Sequence, residues 1–217
     1  MVKGAIFDVD GTLLDSMGVW WSACDIFFKS RGLVLSEEKA QELTDMRLEQ
    51  SIPLIIKEYG LDTTLEEAIN ELKAYVDEAY RTTILLKPYA REYLQQIKNE
   101  GVKIAVATSG YPELCQTAFK RLDIFSLIDA YAFSHEVNKG KENPDIYLLA
   151  AKRIGVAPED CTVFEDIATG IRGAKAGGFS TCAIYDLTNE ADTDVLKQLS
   201  DHYITGWKDM LKARQSY

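Results

Sequence analysis

The chain has 217 residues with 34 acidic and 24 basic side chains, a formal charge of -10, so it lacks the Lys and Arg excess on which nucleic-acid backbone binding rests. Cys24, Cys115, Cys161 and Cys182 are scattered without a C-x-x-C pair, and His135 and His202 are the sole imidazoles; zinc sites, disulfide frameworks and histidine-based catalysis have little to build on. No apolar stretch approaches transmembrane length, and the first strand starts too close to Met1 for a signal peptide, so the expectation is a cytoplasmic protein without membrane contact.

From Lys3 to Asp8 a short apolar run closes at a glycine turn, the pattern of a strand buried inside a sheet. Val19, Trp20, Ala23, Ile26, Phe27 and Phe28 recur at helical spacing and stop at Arg31-Gly32, where glycine suits a helix C-terminus. Ser36 stands in N-cap position before Glu37-Glu38-Lys39. A third helix spans Leu48 to Tyr59, closed by Gly60, with Pro53 either delaying its start by a turn or bending it. Thr64-Leu65-Glu66-Glu67 opens a fourth, running towards Tyr80.

From Leu85 onward strands and helices alternate. A helix after Lys87-Pro88-Tyr89 ends near Gly101, a strand runs from Val102 to Ala107, and a helix runs from Pro112 to Leu122. A strand from Ala130 to Ser134 precedes a helix from Pro144-Asp145 through Arg153. Thr162-Val163-Phe164 is a strand, a helix follows to Ala176, and strands close the pattern from Ser180 to Tyr185 and at His202-Tyr203-Ile204. This order predicts an α/β fold, a doubly wound, mainly parallel sheet with helices on both faces. Residues 16–83 are an all-helical insertion the size of a small domain, which leaves 1–15 and 84–217 as the sheet domain.

The chemistry starts with Asp8 and Asp10, two residues apart where the first strand gives way to Gly11. Extended backbone sends both towards one side, at the strand end where open α/β sheets gather their ligands. Carboxylates that close require a cation between them or a proton on one, so the pair suits a hard metal ion, or a nucleophile with a proton-transfer partner. Asp and Gly are also common turn formers, and the run alone leaves a plain turn open. Three further blocks follow in order: Val106-Ala107-Thr108-Ser109-Gly110, Lys141-Glu142-Asn143-Pro144-Asp145, and Val163-Phe164-Glu165-Asp166 continued by Ile167-Ala168-Thr169-Gly170. Together with Phe7-Asp8-Val9-Asp10-Gly11-Thr12-Leu13-Leu14-Asp15-Ser16, they resemble the four motifs of the haloacid dehalogenase-like (HAD) phosphohydrolase superfamily.

That resemblance implies a HAD-like Rossmannoid core, a helical cap formed by residues 16–83, and Mg²⁺-dependent hydrolysis of a small phosphorylated metabolite. By position, Asp8 is the nucleophile that forms an aspartyl-phosphate. Asp10 is the general acid and base, its backbone carbonyl a metal ligand. Thr108 bonds a phosphoryl oxygen, and the Ser109 and Gly110 N–H groups face the anion. Lys141, not Lys139, neutralises developing charge. Asp8 and Asp166 hold Mg²⁺, with Glu165 in support directly or through water, although neighbours on a strand point to opposite sides. Glu142 stands where the family often has proline. Arg47 and the aromatic Trp20 and Trp21 are candidate substrate contacts from the cap, the tryptophans being equally suited to packing.

An acid at Asp10 favours phosphoryl over halide chemistry in this family. Residues Asp45 to Glu49 do not reproduce the lysine sequence of its phosphonatases, and its beta-phosphoglucomutases carry histidine where this chain has Trp20. Phosphomonoester hydrolysis is therefore the expected reaction. The alternatives are a hexose-phosphate mutase and a non-catalytic phosphometabolite-binding regulator. A monomer is expected, with oligomers left open.

Overall fold

A computed structural model of the chain describes residues 2–36, 38, 39, 43, 46, 48–137 and 139–214. It divides into two compact units, Met1–Ser16 with Ile84–Tyr217, and Met17–Thr83. The first unit contains strands β1 (Gly4–Phe7), β2 (Leu14–Asp15), β3 (Leu85–Leu86), β4 (Lys103–Thr108), β5 (Ala130–Phe133), β6 (Cys161–Glu165), β7 (Ser180–Ile184) and β8 (His202–Ile204). Six of these form one sheet in the order β5-β4-β1-β6-β7-β8, all paired in parallel. The strand order reverses across β1, which places the topological switch point, and its crevice, at the end of that strand. All four β1 residues are buried, because both sheet faces are covered, and this is why the run is continuously apolar rather than alternating.

β2 and β3 form a separate antiparallel ribbon, Leu14 opposite Leu86 and Asp15 opposite Leu85. Neither strand carries a local signal in the sequence. Two residues cannot display a period of two, and their pairing joins segments far apart in the chain.

The helical unit is built from α1 (Met17–Lys29), α2 (Leu48–Tyr59) and α3 (Leu65–Thr82). α3 starts at a capping box: Thr64 Oγ1 accepts from the Glu67 N–H, and Glu67 reaches back to the Thr64 N–H at 2.9 Å. Its buried stripe, Ala68, Leu72, Val76 and Tyr80, has helical i, i+4 spacing. Arg31 binds the Glu71 carboxylate with both terminal nitrogens, at 3.1 and 2.7 Å, and lies over the Phe27 ring. Trp20 Nε1 donates to Tyr80 Oη at 2.7 Å. α2 begins at Leu48 with Pro53 inside it, so proline does not delay the start by a turn. Ser36 Oγ accepts the Lys39 N–H at 3.2 Å, as an N-cap does; residues 37, 40–42, 44, 45 and 47, and with them Arg47, lie outside the described residues.

The sheet is flanked by α4 (Ala90–Asn99), α5 (Pro112–Arg121), α6 (Asp145–Ile154), α7 (Ala168–Ala176), α8 (Thr193–Leu199) and α9 (Trp207–Arg214). Ile6, Ala105, Ala107 and Ala132 pack with Ile146, Tyr147, Ala150 and Ala151 of α6. The next residue of β1, Phe7, points the other way: it stacks on Phe164 at 4.7 Å, while Tyr93 of α4 stacks on Trp207 of α9 at 5.2 Å. Neither α8 nor α9 is marked by a clear sequence pattern, both being short helices in a charged stretch. Yet Trp207 is fully buried, and its Nε1 donates to the Thr12 carbonyl at 3.1 Å. Denaturant unfolding should show Trp207→Ala losing about 3 to 5 kcal/mol through the cavity left behind. Trp207→Phe, which removes the hydrogen bond and part of the buried ring system, should lose less, about 1 to 3 kcal/mol. Equal midpoints for all three proteins would contradict this packing.

Candidate active site

Beyond Phe7 the chain makes one more parallel ladder bond, Asp8 N–H to the Phe164 carbonyl at 3.0 Å, and then turns sharply. Gly11 has φ +87, which glycine adopts without strain, and the Val9 carbonyl accepts from the Leu13 and Leu14 N–H groups at 2.9 and 2.8 Å. The turn leaves Asp8 buried. Asp10 is half-buried, its Oδ1 accepting from Ser16 Oγ at 2.5 Å. The two acids therefore occupy different settings.

Lys141 enters from the loop before α6 and is only 7 % exposed. Its ammonium binds Asp8 Oδ1 and, at 2.6 Å, Glu165 Oε1. Tyr147 Oη donates to the same Glu165 oxygen at 2.9 Å. Two glycines of α7 make room for this arrangement: a Cβ on Gly170 would fall 2.5 Å from Glu165 Cδ, and one on Gly173 would fall 2.0 Å from the Lys141 carbonyl oxygen. By contrast, Lys139 is exposed and pairs with Asp145 at 3.0 Å.

Glu165 and Asp166 are neighbours in the chain, yet both carboxylates reach the same space. Glu165 is the last residue of β6 and Asp166 lies past the strand in a bend, so strict alternation has ended. One carboxylate oxygen each from Asp8, Glu165 and Asp166 lie within 4.8 Å of one another. Asp166 is held from two sides, Oδ1 by Thr12 Oγ1 at 3.0 Å and Oδ2 by Asn189 Nδ2 at 2.8 Å.

Thr108 is buried at the end of β4. Its Oγ1 accepts the Gly110 N–H at 2.9 Å, so the hydroxyl hydrogen remains available for donation, while the Gly110 N–H, expected to face an anion, is bonded to this side chain instead. A Cβ on Gly110 would lie 3.0 Å from Asp10 Oδ2, which places the ends of β1 and β4 side by side. The Ser109 hydroxyl shares a hydrogen bond with Ser134 at 2.9 Å and is directed towards the protein.

Three acids and one ammonium share this buried space. Burial alone works to lower the Lys141 pKa, but Asp8 and Glu165 more than offset it and hold it above the ordinary lysine value. Burial pushes Glu165 up to about 7, against the pull of Lys141 and with Asp8 adding to it. Asp166 is raised well above the usual aspartate range by burial, then by Asp8 and Glu165. The crowd lacks positive charge. Glu165 Oε2 is buried with no hydrogen-bond partner among the described residues, and the set offers oxygen ligands throughout. These residues fit a hard divalent cation.

The geometry now has a counterpart among known proteins: the model of the haloacid dehalogenase-like hydrolase family matches residues 2–178. The chain belongs to this family. This HAD-like hydrolase is similar to the phosphorylated carbohydrates phosphatase of Thermotoga maritima, 28% identical over 177 residues covering 82% of each chain. It is likewise similar to the beta-phosphoglucomutase of Bacillus subtilis, 28% identical over 208 residues covering 92% of this chain and 91% of that one. The crystal structure of CbbY from Rhodobacter sphaeroides in complex with phosphate shares the fold, with a TM-score of 0.85 at 20% identity over 97% of this chain and 96% of that one. No described helix of the HAD-like hydrolase is long and apolar enough to cross a membrane.

Several members of the site carried no usable signal in the sequence. Tyr147 and Asn189 are brought in by tertiary packing, and Thr12, although it stands inside the first quoted block, meets Asp166 only in the folded chain. Gly170 and Gly173 had a weak one, since a helix interior disfavours glycine unless something approaches it closely.

Proposed function

We propose that this HAD-like hydrolase is a Mg²⁺-dependent phosphatase that releases inorganic phosphate from a small phosphorylated carbohydrate through an aspartyl-phosphate on Asp8. The supporting observation is the buried Lys141 ammonium joined to Asp8 and Glu165, with Asp10 set apart on Ser16. One carboxylate is thus ion-paired inside the site, where a nucleophile would stand, and the other is set apart for proton transfer.

In the first step an Asp8 oxygen bonds to phosphorus as the bond to the sugar oxygen breaks, and Asp10 gives that oxygen its proton. In the second, water attacks phosphorus, Asp10 takes a proton from it, and the bond to Asp8 breaks, restoring both acids. Lys141 and the Thr108 hydroxyl stabilise charge on the phosphoryl oxygens, where positioning and electrostatics dominate the rate. Asp8, Asp166 and the Asp10 carbonyl, with Glu165 beside them, would hold Mg²⁺, which supplies charge neutralisation and substrate orientation when bound. Residues 17–83 serve as the cap in this reading, limiting water during the first step.

The similarity to a beta-phosphoglucomutase favours one second reading, a hexose-phosphate mutase. Against it, Trp20 offers an indole bonded to Tyr80, a group unable to exchange protons in a return transfer. The test is a set of phosphorylated carbohydrates incubated with enzyme, with and without chelator. Phosphate release that stops on metal removal is expected and returns with Mg²⁺. Release that survives thorough metal removal would refute the metal role, and isomerised sugar phosphate without free phosphate would establish the mutase.

A further inference from the structure

We propose that Asn189 is a positioning residue that fixes the Asp166 carboxylate for metal binding, an inference that rests on the metal-dependent reading above. Asn189 lies in the short 3-10 segment Leu187–Asp192, far from the four motifs in sequence, and is 5 % exposed. Its backbone, φ -112 and ψ 21, breaks the helical geometry of that segment. The side chain spends both amide hydrogens on one residue: Nδ2 donates to Asp166 Oδ2 at 2.8 Å and to the Asp166 carbonyl at 3.3 Å. Both partners are acceptors, so the nitrogen and not the oxygen of the amide must face them.

The segment is itself anchored. Asp186 caps it by accepting from the Thr188 N–H at 2.9 Å, and its other oxygen pairs with Lys87 at 2.8 Å. Lys87 also donates to the Tyr185 carbonyl at 2.7 Å, and its backbone N–H binds the Leu13 carbonyl in the motif turn. With Thr12 on Oδ1 and Asn189 on Oδ2, the Asp166 carboxylate cannot rotate without breaking a bond. Each oxygen retains a second lone-pair site for a cation. Bonds of this kind, from an outer residue to a ligating carboxylate, orient the ligand before the metal arrives.

The experiment titrates Mg²⁺ alone into metal-free wild type and Asn189→Ala by calorimetry, with thermal midpoints recorded in chelator and in saturating Mg²⁺. The variant should bind Mg²⁺ about 10- to 100-fold more weakly, while a packing role would lower both midpoints equally and leave the affinity unchanged. An affinity within about twofold of wild type would overturn the inference and leave the metal reading intact. Absence of Mg²⁺ binding by wild type would overturn both. Should Asn189→Ala not fold, the wild-type Asn189 side-chain amide, followed by ¹⁵N NMR, decides: its two protons should shift on Mg²⁺ addition, and fixed resonances at saturation would overturn the inference.

Discussion

Asp8→Asn should lower kcat on the order of 10⁴- to 10⁶-fold, the range seen when a nucleophile is removed from a working constellation. An amide nitrogen or oxygen cannot form the acyl-phosphate. Glu165 and Asp166 are each fixed in place, Glu165 through Oε1 by Lys141 and Tyr147 and Asp166 by Thr12 and Asn189, so neither is expected to move into the position of Asp8. The fold should survive, because Lys141 retains Glu165 as its partner and one of three crowded acids becomes neutral. The thermal midpoint in chelator is therefore expected at or above the wild-type value, in keeping with the strain that active sites carry at the expense of stability. Turnover within tenfold of wild type, at equal folding, would remove Asp8 from the reaction.

Lys141→Ala should damage activity and stability together. In the proposed mechanism Lys141 is the cation facing developing phosphoryl charge, and its loss is expected to cost on the order of 10²- to 10³-fold in kcat. It also leaves Asp8 and Glu165, both almost fully buried, without their ammonium; breaking a buried pair from one side costs about 3 to 5 kcal/mol. The midpoint should fall most in chelator and recover in part with Mg²⁺, since a divalent ion can answer the same acids. Lys139→Ala is the control. That lysine is 53% exposed in its pair with Asp145, and an exposed pair contributes about 0 to 1 kcal/mol. Equal midpoints for the two variants in chelator would contradict the buried role of Lys141.

The parts of the fold with their own local signal were legible in the sequence. β1 showed itself as an unbroken apolar run because both its faces are covered, and α3 by the Thr64 to Glu67 capping pattern. Alternation after Leu85 was sufficient for a parallel, doubly wound sheet. β2 and β3 were not legible, being two residues long and joined only in three dimensions. In the site, Asp8 and Asp10 stood out by spacing. Thr108, Lys141 and Asp166 were found by their place in four ordered blocks, which no composition argument could supply. Asn189 and Tyr147 had no such register: an asparagine in a polar stretch and a tyrosine on an apolar helix face read as ordinary solvation and packing. Their roles exist only once β6, α6 and the segment after β7 are packed together. Strand alternation, the one point against Glu165 standing with Asp166, does not apply because the strand ends between them.

In the proposed reaction, phosphate passes through Asp8. Wild-type enzyme mixed with Mg²⁺ and a phosphorylated carbohydrate that it hydrolyses can be quenched in acid within the first turnover, digested at low pH and mapped by mass spectrometry. A phosphoryl group on the peptide containing Asp8, fragmenting to that residue and absent from Asp8→Asn, is the predicted result. A phosphoryl group on any other residue, or first-turnover phosphate release with no labelled protein at any quench time, would contradict it.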